Sequence, residues 1–164
     1  MSPLGLDKLD RQRFEMTRHK GFLMRILAVD HGEKRIGLAV SDETARLARP
    51  LTVLKHLSRA LDAARVAEIA AELGAGVILV GQSFDLDGNP NAAGRSAARF
   101  AEALGLQTGL PVRLWDEALT TRDAQSAARA MGFGRSKRAG HLDEHAAAVL
   151  LQSYLDTLEH PPLE

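Results

Sequence analysis

Acidic residues at the ends of predicted strands and helices are the first candidates for chemistry in this sequence. Asp30 closes the first apolar run, Asp116 and Glu117 follow the last predicted strand, and Asp143 opens the last predicted helix. Removing a carboxylate from water is costly unless a cation shares the site. Acids from three elements brought together would bind Mg²⁺ or Mn²⁺, ions that activate water and neutralise the leaving oxygen when a phosphodiester is hydrolysed.

A structural role is open for each of these acids when it is considered by itself. Asp30 could form the turn that precedes Gly32, and Asp116 or Glu117 could be a solvated strand end. Asp143 could cap the last helix or complement its dipole. The convergence of acids from three separate elements is what favours a metal site over these alternatives.

Helical periodicity places Asp143 on the sheet-facing side of the last helix. Ala147, Leu150 and Tyr154 share its stripe, whereas Gln152 belongs to a polar stripe on the other side. Asp143 is therefore predicted to face the sheet that carries the other acids.

The order of the apolar runs predicts an α/β domain with a mixed sheet. Two β-rich runs separated by a turn with Gly32 form a hairpin, and a third strand is predicted after Pro50, so the sheet begins antiparallel. A helix capped by Ser58 leads to residues 76–81, which are apolar on both faces as in a buried central strand. Strands and flanking helices then alternate, and the last two helices are predicted over about residues 121–131 and over residues 142–158.

Length, charge and composition restrict the classes of protein that fit. The 164 residues suit one domain, and 21 basic residues balance 21 acidic ones. A broad cationic field is therefore excluded, so a polyanion must bind at a local patch. The absence of cysteine excludes disulfides, thiolate zinc sites and a cysteine nucleophile. Because neither a membrane-spanning segment nor a secretory signal is found, a cytoplasmic protein without a membrane partner is predicted.

A basic loop flanked by glycines precedes the last helix. Residues 132–141 hold a dense group of cations, Arg135, Lys137 and Arg138. Because this loop lies just before Asp143, it is predicted to bind phosphates beside the metal site, with a solvated turn as the structural alternative. Arg35, in the first hairpin, is a further candidate for a phosphate contact or a solvated turn residue.

Short motifs follow one another in a characteristic order along the chain. They are AVDHGEKRIGLAVSD at residues 28–42, Arg49-Pro50-Leu51, Val80-Gly81 with the Asp87-Gly88 turn, the run from Trp115 to Thr121, and Leu142-Asp143 leading into residues 148–155. In this order they resemble the YqgF/RuvX family of ribonuclease-H-like proteins, over about residues 24–156.

The resemblance implies a ribonuclease-H-like fold with a five-stranded mixed sheet, in which parallel strands follow three antiparallel ones. It implies that Asp30, Glu117 and Asp143 are the catalytic, metal-binding acids for Mg²⁺ or Mn²⁺, with Asp116 as a neighbour. Family members are described as Holliday junction resolvases and as nucleases that mature the 5′ end of pre-16S ribosomal RNA. RNA or branched DNA is therefore the implied partner. Gln82-Ser83 departs from the family pattern, which usually has Leu-Pro after the glycine.

Three regions are predicted along the chain. Residues 1–22 form a flexible extension outside the family pattern, with Met16 or Met24 as alternative biological starts. Residues 23–158 form the nuclease domain, and residues 159–164 are a tail.

Two other classes of function stay open at this point. A nucleotide-binding protein is one, because an Asp-x-Gly hairpin also resembles the phosphate loop of actin-like ATPases and sugar kinases, although those folds need two such domains. A non-catalytic nucleic-acid-binding or protein-binding module with the same fold is the other. A homodimer is also left open, and junction resolution would require one because two active sites must cut two strands.

Overall fold

The structure, a computed structural model, describes residues 24–119 and 142–159. The side chains of residues 119, 142–144 and 159 are outside that description. The predicted extension of residues 1–22, the helix expected at residues 121–131, the basic loop of residues 132–141 and the tail beyond residue 159 also lie outside the described residues.

Within the described ranges, five strands and three α-helices follow one another along the chain. They are β1 (Arg25–His31), β2 (Arg35–Ser41), β3 (Ala48–Lys55), α1 (Arg59–Leu73), β4 (Ala75–Gln82), α2 (Ala92–Gln107), β5 (Val112–Asp116) and α3 (Leu142–Glu159), with a short 3-10 helix, Glu117–Leu119, directly after β5. No helix in these ranges has the length and apolar character needed to cross a membrane.

The strands form one mixed sheet in the order β3-β2-β1-β4-β5. β1 pairs antiparallel with β2, which pairs antiparallel with β3, whereas β1 and β4 are parallel, as are β4 and β5. The predicted five-stranded sheet with an antiparallel start is thus confirmed. Since β1, β4 and β5 run in the same direction, their carboxyl ends meet at one edge of the sheet.

Helices cover the sheet on both faces, and strand alternation decides which side chains each helix meets. Leu27 and Val29 of β1 pack in the core on the face of α1 and α2, together with Phe100. Ile26 and Ala28 pack in the core on the α3 face. Because successive strand residues point to opposite faces, Asp30 lies on the α3 face.

Capping residues define both ends of α1 and the start of α2. The Ser58 hydroxyl accepts a hydrogen bond from the Leu61 N–H at 3.2 Å, which confirms the predicted cap, and Gly74 ends the helix with φ at 65°. Asn91 caps α2 by accepting from the Gly94 N–H at 2.8 Å. These caps fix where each helix starts relative to the neighbouring strands.

The third strand begins earlier than the sequence predicts. Pro50 lies inside β3, which starts at Ala48, so the prediction of a strand only after the proline is wrong. The register between β2 and β3 shifts between Leu38 and Ala39, and Ala39 is the partner of Pro50. β3 is an edge strand, where a residue without an N–H is tolerated and a bulge is common.

Gln152 fixes α3 to the start of β3. It is buried, and its amide oxygen accepts from the Ala48 N–H at 2.9 Å while its amide nitrogen donates to the Arg46 carbonyl at 3.0 Å. At Gln152 the polar stripe of α3 therefore meets the start of β3. These two bonds satisfy backbone groups at the entry of the strand and hold the helix across the sheet.

Candidate active site

Asp30 lies at the edge of the sheet where β1 ends. It is the last residue but one of that strand, half-buried, and its partner on β2 is Gly37. β1 and β4 pair in register up to Val29 and Val80, so the neighbour of Asp30 on β4 is Gly81. Asp30 therefore stands between two glycine positions, which leave its carboxyl group room on the α3 face.

Glu117 reaches the same place from β5. It opens the 3-10 helix directly after that strand, and its side chain forms a hydrogen bond with Asp30. A Cβ on Gly81 would lie 3.0 Å from Glu117 Oε1 and 2.9 Å from Leu150 Cδ2. Gly81 thus gives Glu117 the space to lie across β4 towards Asp30.

The surroundings of Glu117 favour its neutral form. Burial raises the pKa of its carboxyl above the ordinary 4.5, the negative charge of Asp116 raises it further, and the hydrogen bond with Asp30 opposes these effects. Two carboxyl groups in hydrogen-bond contact require a shared proton or a cation between them. Their oxygens are the ligand type that Mg²⁺ and Mn²⁺ prefer, so this donor pair fits such an ion.

Asp116 is a weaker candidate for the metal site than Glu117, because its carboxyl group forms a local hydrogen bond. It is the last residue of β5, and its Oδ1 accepts a hydrogen bond from the Ala118 N–H at 2.8 Å. That bond caps the turn into the 3-10 helix and so orients Glu117. Alternation along β5 also separates the two acids, because Trp115 packs on the α3 face and Asp116 follows it.

The structure places the backbone of Asp143 but not its carboxyl group. Asp143 is in the first turn of α3, on the helical stripe of Ala147 and Leu150, and Leu150 packs over Gly81 beside Glu117. The role of Asp143 as a third ligand therefore stays a prediction. Among the described side chains, which exclude that of Asp143, no group of three or more potential metal ligands occurs.

The cationic candidates fall into two groups. Arg35 is exposed at the start of β2 and pairs with Lys55 of β3, near the edge that carries the carboxyl pair. The basic loop with Arg135, Lys137 and Arg138 lies outside the described residues, and its phosphate-binding role stays a prediction.

His31 points away from the carboxyl pair. Its ring stacks on Phe100 of α2, with centroids 4.6 Å apart, on the opposite face from Asp30. Burial lowers the pKa of His31 below its ordinary value, and the nearby charges of His56 and Arg59 act in the same direction against the pull of Asp62. These contacts favour a structural role for His31 over a contact with substrate.

The departure at Gln82-Ser83 serves the junction between β4 and α2. The buried Gln82 amide donates to the Gly94 carbonyl at 3.1 Å, and the Ser83 hydroxyl donates to Asn91 Oδ1 at 2.7 Å. A Cβ on Gly94 would clash with the Ser83 carbonyl oxygen. These two polar residues therefore hold the first turn of α2 against the end of β4, next to the site.

Sequence reasoning missed the contribution of Gly81 to the site. The Val80-Gly81 motif was visible, but nothing along the chain shows that residue 117 crosses β4 at that position. The signal was a glycine that closes a buried strand, which often marks the close approach of another group.

Solved structures similar to this one share its fold. Thermus thermophilus RuvC in complex with a Holliday junction matches with a TM-score of 0.57 and 18% identity, over 84% of this chain and 97% of that one. The large terminase nuclease of the thermophilic phage G20c matches with a TM-score of 0.55 and 12% identity, over 80% and 82% of the two chains. The fold that these structures share with this chain is ribonuclease-H-like.

The particular family follows from sequence similarity. The profile of the family described as RuvX: Holliday junction resolvase matches residues 24–157. A protein of Anaeromyxobacter sp. (strain Fw109-5) named as a pre-16S rRNA nuclease is 44% identical over 133 residues, which cover 81% of this chain and 97% of that protein. A protein of Syntrophus aciditrophicus (strain SB) with the same name is 38% identical over 135 residues, 82% and 90% of the two chains. The chain belongs to the RuvX family and is a phosphodiester hydrolase.

Proposed function

We propose that this protein is a divalent-metal-dependent nuclease that acts in the 5′-end maturation of pre-16S ribosomal RNA. The contact between the carboxyl groups of Asp30 and Glu117 carries the proposal. Asp30 comes from β1 and Glu117 from the 3-10 helix after β5. Two acids held together where a proton or cation must neutralise them are suited to bind an ion that works on a phosphodiester.

Each residue of the proposed site has a distinct task. Asp30 and Glu117 hold Mg²⁺ or Mn²⁺ from the sheet, and Asp143 adds a third carboxylate from α3. The bound ion supplies activation of water and neutralisation of charge at the leaving oxygen. Arg35 and the loop cations Arg135, Lys137 and Arg138 bind backbone phosphates and position the strand without reading its sequence.

The choice of RNA as substrate rests on the relatives. The match covers nearly the whole length of the Anaeromyxobacter protein, whose name refers to pre-16S rRNA. The proposal carries that substrate over to this chain, and with it a cytoplasmic site of action where ribosomal RNA is processed.

Junction DNA is the second candidate substrate. The family description names Holliday junction resolvase, and that description is the observation in its favour. Resolution needs two strands cut by two active sites, so this candidate additionally requires a symmetric homodimer.

A cleavage assay with Mn²⁺ distinguishes the candidates. Wild type, Asp30→Asn and Glu68→Gln are each assayed on structured precursor RNA, single-stranded RNA and a four-way DNA junction. Glu68→Gln is an isosteric acid-to-amide control on the exposed side of α1. We expect cleavage of precursor RNA that Asp30→Asn abolishes and Glu68→Gln preserves. Cleavage of the junction alone would transfer the proposal to the second candidate. Binding without cleavage of any substrate would overturn it in favour of a non-catalytic module.

A further inference from the structure

Two cations lie side by side at the end of the β2-β3 ladder. Arg35 and Lys55 are directly opposite each other in the antiparallel register, and both are exposed. Like charges in opposite positions of a ladder destabilise it. No carboxylate in the described ranges forms an ion pair with Lys55. Such a pair is stabilised when an anion lies between or above its members.

This pair lies on the same face of the sheet as the proposed active site. Asp30 pairs with Gly37, and Gly37 pairs with Val53, so these three positions form one row across three strands. Arg35 and Lys55 form the next row on that face, because they are two residues from Gly37 and Val53. By sheet geometry, Lys55 lies about 10 Å across the sheet and about 7 Å along it from Asp30.

The chain at Lys55 is held firmly at the point where it leaves β3. The Lys55 carbonyl accepts from Arg65 Nη1 at 2.9 Å, and the next N–H, that of His56, donates to the Lys34 carbonyl at 2.9 Å. The His56 ring in turn contacts the buried carboxylate of Asp62, with Nδ1 2.5 Å from Oδ2. These bonds tie the strand end to α1 and to the first hairpin. The backbone under Lys55 is thus preorganised, so that binding of a ligand there does not require the strand end to be ordered.

We propose that Lys55, beside Arg35, binds a backbone phosphate of the nucleic acid about three nucleotides from the bond that the Asp30 site cleaves. The inference rests on the proposed nuclease function. It adds a second phosphate-binding position on the side of the sheet formed by β2 and β3, separate from the loop of residues 132–141. The strand then crosses the sheet from β1 towards β3 and is held at two points.

The inference is tested by the salt dependence of RNA binding, measured without divalent ions so that binding is not followed by cleavage. Lys55→Ala is compared with wild type and with Arg25→Gln, which removes a cation at the opposite end of β1. We expect Lys55→Ala to reduce the slope of log K against log salt by about 0.7 to 0.9 and to weaken binding about five- to eightfold at 0.1 M salt. Lys55→Arg should restore the slope, Lys55→Glu should weaken binding further, and Arg25→Gln should leave it unchanged.

Cleavage kinetics provide the second readout. On long RNA, Lys55→Ala should raise KM and leave kcat unchanged, whereas on an RNA that ends one nucleotide from the cleaved bond on either side it should match wild type. If Lys55→Ala leaves the salt slope and KM unchanged while wild type cleaves RNA, the inference about Lys55 is overturned and the proposed function is not. If Lys55→Ala changes the salt slope but wild type cleaves no RNA, the proposed function is overturned and the phosphate-binding role of Lys55 is retained.

Discussion

Glu117 Oε1 lies 3.0 Å from the position that a Cβ on Gly81 would occupy. β4 thus provides the surface over which the acid from β5 reaches Asp30 on β1. Any side chain at position 81 must move Glu117 or Leu150, and a shift of about 1 Å in a catalytic group can cost about a hundredfold in rate.

Gly81→Ala should therefore impair activity more than stability. We expect kcat to fall about a hundredfold, with the free energy of unfolding reduced by about 1–3 kcal/mol for the added volume in a packed position. Gly105→Ala is the control, because a Cβ there meets nothing within 4 Å and alanine favours the helix. An active Gly81→Ala protein would show that Glu117 needs no fixed position for catalysis.

Glu117→Gln should change how stability depends on pH in the absence of metal. The pKa of Glu117 is raised in the folded state, so the folded protein binds more protons than the unfolded one between the ordinary value and the raised value. Wild type therefore loses stability relative to Glu117→Gln as the pH rises through that window, and the difference is constant above it. Thermal unfolding of both proteins in EDTA from pH 4 to 8 measures this. A difference independent of pH would contradict the raised pKa.

The sequence marks candidate acids because strand ends are visible as apolar runs that stop, but the choice of Glu117 over Asp116 came from the family resemblance. Asp30 and Glu117 both follow such runs, and in a mixed sheet with parallel strands these ends meet. Which residues pair across neighbouring strands could not be predicted in this way. The pairing of Arg35 with Lys55 depends on the register between β2 and β3, which a bulge at Ala39 shifts.

Gln152 shows the other limit of sequence reasoning. A helical wheel assigns it correctly to a polar stripe, but the wheel does not reveal that α3 crosses the start of β3, where backbone groups of Arg46 and Ala48 need partners. A polar stripe at such a crossing is buried and hydrogen-bonded instead of solvated.

Gln152→Ala should destabilise the protein through those backbone groups. The buried Ala48 N–H loses its acceptor, which costs about 1–3 kcal/mol. Gln107→Ala, at the exposed last residue of α2, is the matched control and should change the free energy of unfolding by less than about 0.5 kcal/mol. Urea unfolding of both variants measures the difference, and equal midpoints would show that water replaces the amide of Gln152 at no cost.

His31→Leu should separate a structural from a substrate-binding histidine. The pKa of His31 is lowered in the folded state, so the unfolded protein binds more protons between the lowered value and the ordinary 6.5. Wild type therefore loses stability as the pH falls through that window, whereas leucine keeps the apolar contact with Phe100 and does not titrate. We expect the unfolding temperatures of wild type and variant to diverge in favour of the variant below pH 6.5, with kcat/KM on RNA unchanged at pH 8. A loss of kcat/KM at unchanged stability would instead assign His31 to the substrate.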